Sequence, residues 1–168
     1  MGLFDALKKK MILKKTLKGS IKRTIKILPI ERYHSVLIIL DKKDSALKKR
    51  IESTFINAKI TSLYNRDIKE FSAEESNFTY TYHSSDLGFG KIKRDNLLGL
   101  LNTNFDLVID FSVHTPEFNY FVKKTKSALK IGDLHSTKNY LYDLLVDRGS
   151  SDIDYLENIK LQIHTLSQ

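Results

Sequence analysis

Three groups of side chains in this sequence could do chemistry. The first is Gly88-Phe-Gly90-Lys91-Ile-Lys93-Arg94, where backbone N–H groups and three cations could hold a phosphate. It has neither the third glycine of a dinucleotide fingerprint nor the Gly-Lys-Ser/Thr ending of a phosphate-binding loop, and an ordinary tight turn accounts for it as well. The second group surrounds Asp106 and Asp110, which bracket an apolar run over 105–111. If that run is a buried strand, Asp110 falls at its carboxyl end, where open α/β sheets place their ligands. Ser112 and His114 follow it, so a carboxylate, a hydroxyl and an imidazole could converge there. Asp133 and His135 would join them at the same sheet edge.

No Gly-x-Ser-x-Gly elbow accompanies this triad-like set. The histidines at 34, 83, 114, 135 and 164 show no metal-ligand spacing. Helix caps and loop hydrogen bonds account for the same residues, so the expectation is no metal, no cofactor and no catalytic set. The remaining alternative is a ligand edge made of Gly88, Gly90, Lys91, Asp110, His114 and Asp133. Tyr80 and Tyr82 share one face of an alternating stretch and could stack on bases, although aromatics at strand spacing are more often sheet core.

The third group is the lysines. Residues 1–32 hold Lys8, Lys9, Lys10, Lys14, Lys15, Lys18, Lys22, Lys26, Arg23 and Arg32 against only Asp5 and Glu31, a local balance of +8. The chain's net charge is also +8, so residues 33–168 are neutral. Such segregation points to an anionic partner, because like charges repel until something neutralises them. The plain alternative is a solvated helix face. An ordinary surface helix, however, mixes signs to gain i,i+4 pairs.

The elements that must position these groups follow from periodicity. Leu13, Leu17, Ile21 and Ile25 recur every four residues, with Leu28 three further on. Beside this apolar stripe runs a basic one of Lys10, Lys14, Lys18, Lys22 and Lys26. The spacing predicts an amphipathic helix that Gly19-Ser20 could kink, that Pro29 ends near Leu28, and that leads straight into the first strand. Strands are predicted at 36–40, 58–64, 78–82, 105–111, 128–131 and 140–146. Helices are predicted at 45–55, capped by Asp44 or Ser45, and at 95–101, 116–127 and 152–166, with a polar loop or short helix at 65–77. Alternating strands and helices imply a single Rossmann-like or flavodoxin-like domain over 33–168, with a mainly parallel sheet covered on both faces. Residues 1–32 form a basic helical arm before it. The absence of cysteine fits a reducing cytoplasm, and no apolar run is long enough to span a membrane.

Several segments together carry a resemblance. They are Ser84-Ser-Asp86-Leu-Gly-Phe-Gly90-Lys91, Phe105-Asp-Leu-Val-Ile-Asp110, Ser127-Ala-Leu-Lys-Ile-Gly132 and Tyr140-Leu-Tyr-Asp143-Leu144. The chain resembles short α/β proteins of flavobacteria and related Bacteroidota, a family of unknown function whose members tend to begin with a lysine-rich helix. The resemblance brings no activity and no catalytic residues. A fainter likeness joins Phe105–Asp110 and Lys130-Ile-Gly132 to one half of a heptosyltransferase-type glycosyltransferase, whose second half 168 residues would not be expected to hold.

Three functions remain. The first is a non-catalytic cytoplasmic protein docking its lysine helix on structured RNA or a ribonucleoprotein, such as the ribosome, with a protein partner possible for the body. The second is attachment to an anionic membrane surface through the same helix, with Leu3, Phe4, Leu7, Met11 and Leu13 as its apolar face. The third is a nucleotide- or sugar-nucleotide-binding domain using the ligand edge.

Overall fold

A computed structural model of the chain describes residues 11, 24–41, 44–65, 79–83, 86–88, 91–92, 95–112 and 115–168. Six parallel strands form one open sheet: β1 (Ser35–Leu40), β2 (Lys59–Asn65), β3 (Thr79–Tyr82), β6 (Asn104–Asp110), β7 (Lys126–Asp133) and β8 (Leu144–Val146). Their order is β3-β2-β1-β6-β7-β8, so the winding reverses between β1 and β6. Leu87–Gly88 and Lys91–Ile92 (β4 and β5) make a separate antiparallel hairpin. The Rossmann-like expectation holds, and every pairing in the six-stranded sheet is parallel.

The strands read as apolar runs because the sheet is covered on both sides. Along β1, Val36, Ile38 and Leu40 enter one core, and Leu37 and Ile39 enter the other. The first core receives α1 (Ser45–Thr54) through Leu47 and Ile51, and α4 (Asp152–Leu166) through Tyr155, Leu156, Ile159 and Ile163. The second receives α2 (Asp95–Asn102) through Leu97 and Leu100, and α3 (Pro116–Lys124) through Phe118, Phe121 and Val122. Each helix start has a local cause. Asp44 accepts from the N–H groups of Ala46 and Leu47, Thr115 accepts from Phe118 ahead of Pro116, and Ser151 accepts from Asp154.

Four expectations change. The arm helix does not reach Leu28, because residues 24–29 have no helical structure. In a helix the Lys26 and Leu28 N–H groups would bond four residues back. Instead they donate to the Ala128 carbonyl (3.3 Å) and the Tyr33 hydroxyl (3.1 Å). Nor does the arm run straight into β1, since a 3-10 turn at Ile30–Arg32 intervenes. Helix α3 stops at Lys124, where the Thr125 N–H and hydroxyl both donate to the Phe121 carbonyl and β7 begins. The predicted strand 140–146 begins only at Leu144, after a 3-10 turn at Asn139–Leu141. On α4, Tyr155, Leu156, Ile159 and Ile163 are buried, while Ile153 and Leu166 are exposed. The stretch 66–78 and the arm through Arg23, apart from Met11, lie outside the described residues. Among the described residues, no helix is long and apolar enough to cross a membrane.

Candidate functional site

Asp110 ends β6 at the reversal of winding and is almost fully buried, at 1 % exposure. A charge there needs strong partners. Ser112 supplies two, donating to Oδ1 from its N–H (2.9 Å) and its hydroxyl (2.6 Å). The Tyr142 hydroxyl donates to Oδ2 at 2.6 Å. Burial, and then the Asp110 carboxylate, hold the Tyr142 phenol far above its ordinary value, so it stays a donor at any physiological pH.

Tyr142 reaches Asp110 because Gly132 has no side chain. A Cβ on Gly132 would lie 2.4–2.5 Å from three atoms of the tyrosine ring, which therefore rests directly on the strand backbone. The chain between β7 and β8 is shaped around this contact. Lys130 donates its N–H to Asp143 Oδ2 (2.7 Å), and Asp143 returns its own N–H to the Lys130 carbonyl (2.9 Å).

On the other face of the same edge, Arg148 clamps the start of α4 to the end of β6. Its Nε and Nη2 donate to Asp152 Oδ1 (3.0 and 2.5 Å), and Nη2 also donates to the Phe111 carbonyl (2.5 Å). Its Cζ stands 5.7 Å from the centre of the Tyr155 ring, which meets Phe111 edge-on. Burial and the neighbouring Asp110 and Asp133 charges raise the Tyr155 phenol well above its usual range.

Of the sequence-predicted ligand edge, Asp110 and Asp133 lie at strand carboxyl ends, as expected. Asp133 Oδ1 accepts the His135 N–H (2.8 Å), and its carbonyl accepts from Ser136, which makes it a turn former. His135 stands on the exposed surface, 3.8 Å from Asp147. Gly88 pairs with Lys91 across the hairpin, with two residues between them in the chain. Gly90 and His114 lie outside the described residues, as do Lys8, Lys9, Lys10, Lys14, Lys15, Lys18, Lys22 and Arg23. Tyr82 is core, edge-on to Phe118, so it is not an open stacking platform.

At the opposite edge, where β6 and β7 begin, lies a cavity of about 430 Å³. Asn104, Asp106, Thr125, Lys126, Ser127 and Lys130 contribute to its walls. Asp106 Oδ2 accepts the N–H groups of His34 (2.8 Å) and Ser35 (3.0 Å), tying β6 to the start of β1. Lys26, from the basic arm, is anchored beside this cavity through its bond to Ala128, and its side chain is exposed. Sequence reasoning found Asp110 but missed Gly132, Tyr142, Arg148 and this recess. The adjacent Lys-Ile-Gly and Tyr-Leu-Tyr-Asp segments were the available signals.

Comparison with known proteins adds one finding. Residues 8–162 match the model of a Family of unknown function (DUF6913), and the chain belongs to that family. Neither a curated protein nor a solved structure matches it.

Proposed function

We propose that this member of the family is a non-catalytic cytoplasmic binding protein that docks its lysine-rich N-terminal segment on structured RNA, as part of or alongside a ribonucleoprotein such as the ribosome. Its flavobacterial setting rests on the sequence resemblance alone. The observation that carries the reading is the charge segregation. Ten cations against two acids occupy the first 32 residues, and the remaining 136 are neutral. A duplex or folded RNA presents the dense row of phosphates that such a stripe would neutralise, releasing counterions as it binds. At the strand ends of the body, the Asp110 oxygens receive the Ser112 and Tyr142 donors, a structural use of that carboxylate.

Contacts of this kind fix position on the RNA without reading bases. Full-length protein is therefore expected to bind unrelated structured RNAs, ribosomal fragments included, with similar affinity. Binding should fall steeply with salt, at a log–log slope of about −0.7 to −0.9 per phosphate met. Replacing Lys14, Lys18 and Lys22 together with glutamine should reduce that slope by about two to three units. A triple variant with wild-type affinity and slope would refute the reading. So would flotation of the protein with phosphatidylglycerol vesicles in the absence of any RNA binding.

A further inference from the structure

Among the described residues, the lysine arm bonds to β7 through Lys26, and the body carries positive charge there that no described ion pair answers. Lys26 bonds through its backbone to Ala128, beside the part of β7 that β8 does not pair. Lys126 is the first residue of β7, two residues before Ala128 and so about 7 Å along the strand. Lys124 is the last residue of α3, two residues earlier still. The side chains of Lys26, Lys124 and Lys126 are all exposed.

Basic residues at a helix carboxyl end usually answer the helix dipole. Here another group already does so. Lys130 is 3 % exposed, and its ammonium donates to the carbonyls of Val122 and Lys123, the last turn of α3. Lys124 and Lys126 are therefore surplus to that need. Among the described residues, the ion pairs lie elsewhere, at Lys48–Glu52, Arg50–Glu157, Lys160–Glu157, Arg148–Asp152 and His135–Asp147. The carboxylate in the recess, Asp106, is engaged by two backbone N–H groups. The Lys123 amine is held below its ordinary value, by partial burial first and then by the charge of Lys124, as expected where positive charge is crowded.

We infer that Lys124 and Lys126, with Lys26, form a second phosphate-docking surface on the folded body, continuous with the arm and fitted to an RNA sugar–phosphate strand. This inference rests on the RNA reading above. RNA fits this surface better than a lipid bilayer does because Lys126 lines a recess, with Lys26 bound beside it at Ala128, and a single strand can enter a recess that a bilayer surface cannot. Asn104 lines that recess and offers an amide to ribose and phosphate oxygens. The body would then fix the orientation of an arm that could otherwise lie along a phosphate row in either direction.

The test uses full-length protein and one ribosomal RNA fragment, titrated over a salt series. The variants are Lys124→Gln/Lys126→Gln, the triple arm variant, and Lys49→Gln, which removes an exposed charge from a helix on the opposite face. Circular dichroism confirms that each is folded. The double variant is expected to lower the salt slope by about 1.4–1.8 units, as two lost phosphate contacts require, while Lys49→Gln leaves it unchanged. If the double variant keeps the wild-type slope and affinity while the arm variant loses both, the body surface is refuted and the RNA reading stands. A slope loss in Lys49→Gln as large per lysine would also refute it, by showing a general effect of net charge. A wild-type protein that binds no RNA overturns both.

Discussion

Replacing Gly132 with alanine tests whether the Tyr142–Asp110 contact is built on a bare backbone. The new methyl carbon would stand 2.4–2.5 Å from Cγ, Cδ1 and Cδ2 of Tyr142. Carbon atoms settle at about 3.5–4.0 Å, so the ring would have to withdraw by on the order of 1 Å. Its hydroxyl donates to Asp110 at only 2.6 Å, and a shift of that size breaks the bond. Overpacking costs about 1–3 kcal/mol. Losing a hydrogen bond to a buried charge adds about 1.5–3 kcal/mol. The variant should therefore lose about 3–5 kcal/mol in urea unfolding followed by far-ultraviolet circular dichroism. Tyr142→Phe keeps the ring and removes only the donor, and should lose about 1.5–3 kcal/mol. Because Gly132→Ala already breaks the bond, the double variant should resemble Gly132→Ala alone, short of the sum of the two singles. A Gly132→Ala loss below about 1 kcal/mol, or two singles that simply add, would refute the reasoning.

Two further outcomes follow from the same structure. Tyr33, Tyr64, Tyr142 and Tyr155 all have phenols raised above the ordinary value of 10.0, chiefly by burial. A folded-state value above the unfolded one favours the folded state fully below pH 10, and that contribution is lost as the pH climbs beyond it. Phenolate absorbance should therefore show these rings ionising only together with unfolding. Eight tyrosines titrating near pH 10 in a folded protein would contradict the burial. At the start of α1, Asp44 accepts from two backbone N–H groups at 3.0 and 2.9 Å, so Asp44→Ala should cost about 1 kcal/mol by urea unfolding. An unchanged midpoint would show that the cap contributes nothing.

What the sequence determined by itself was the set of elements and their stacking. The runs Val36–Leu40 and Phe105–Ile109 are apolar at every position but Asp106, which only a strand covered on two faces requires. Asp44, Thr115 with Pro116, and Ser151 mark helix starts by bonds that reach only two or three residues along the chain. Such short-range chemistry is legible without a fold, and so is the charge segregation of the first 32 residues. Tertiary structure alone decided the rest. The helical spacing of Ile25 and Leu28 was real, but Lys26 and Leu28 give their N–H groups to Ala128 and Tyr33, partners that periodicity cannot see. The same limit hid the site. Asp110 could be placed at a strand end, yet its Tyr142 partner is 32 residues away and arrives only because Gly132 leaves room for the ring. Lys124 and Lys126 read as an unremarkable pair in the sequence. They stand beside the root of the basic arm because parallel strands bring the end of α3 to the edge where Lys26 is bound, a juxtaposition set by sheet topology and not by spacing along the chain.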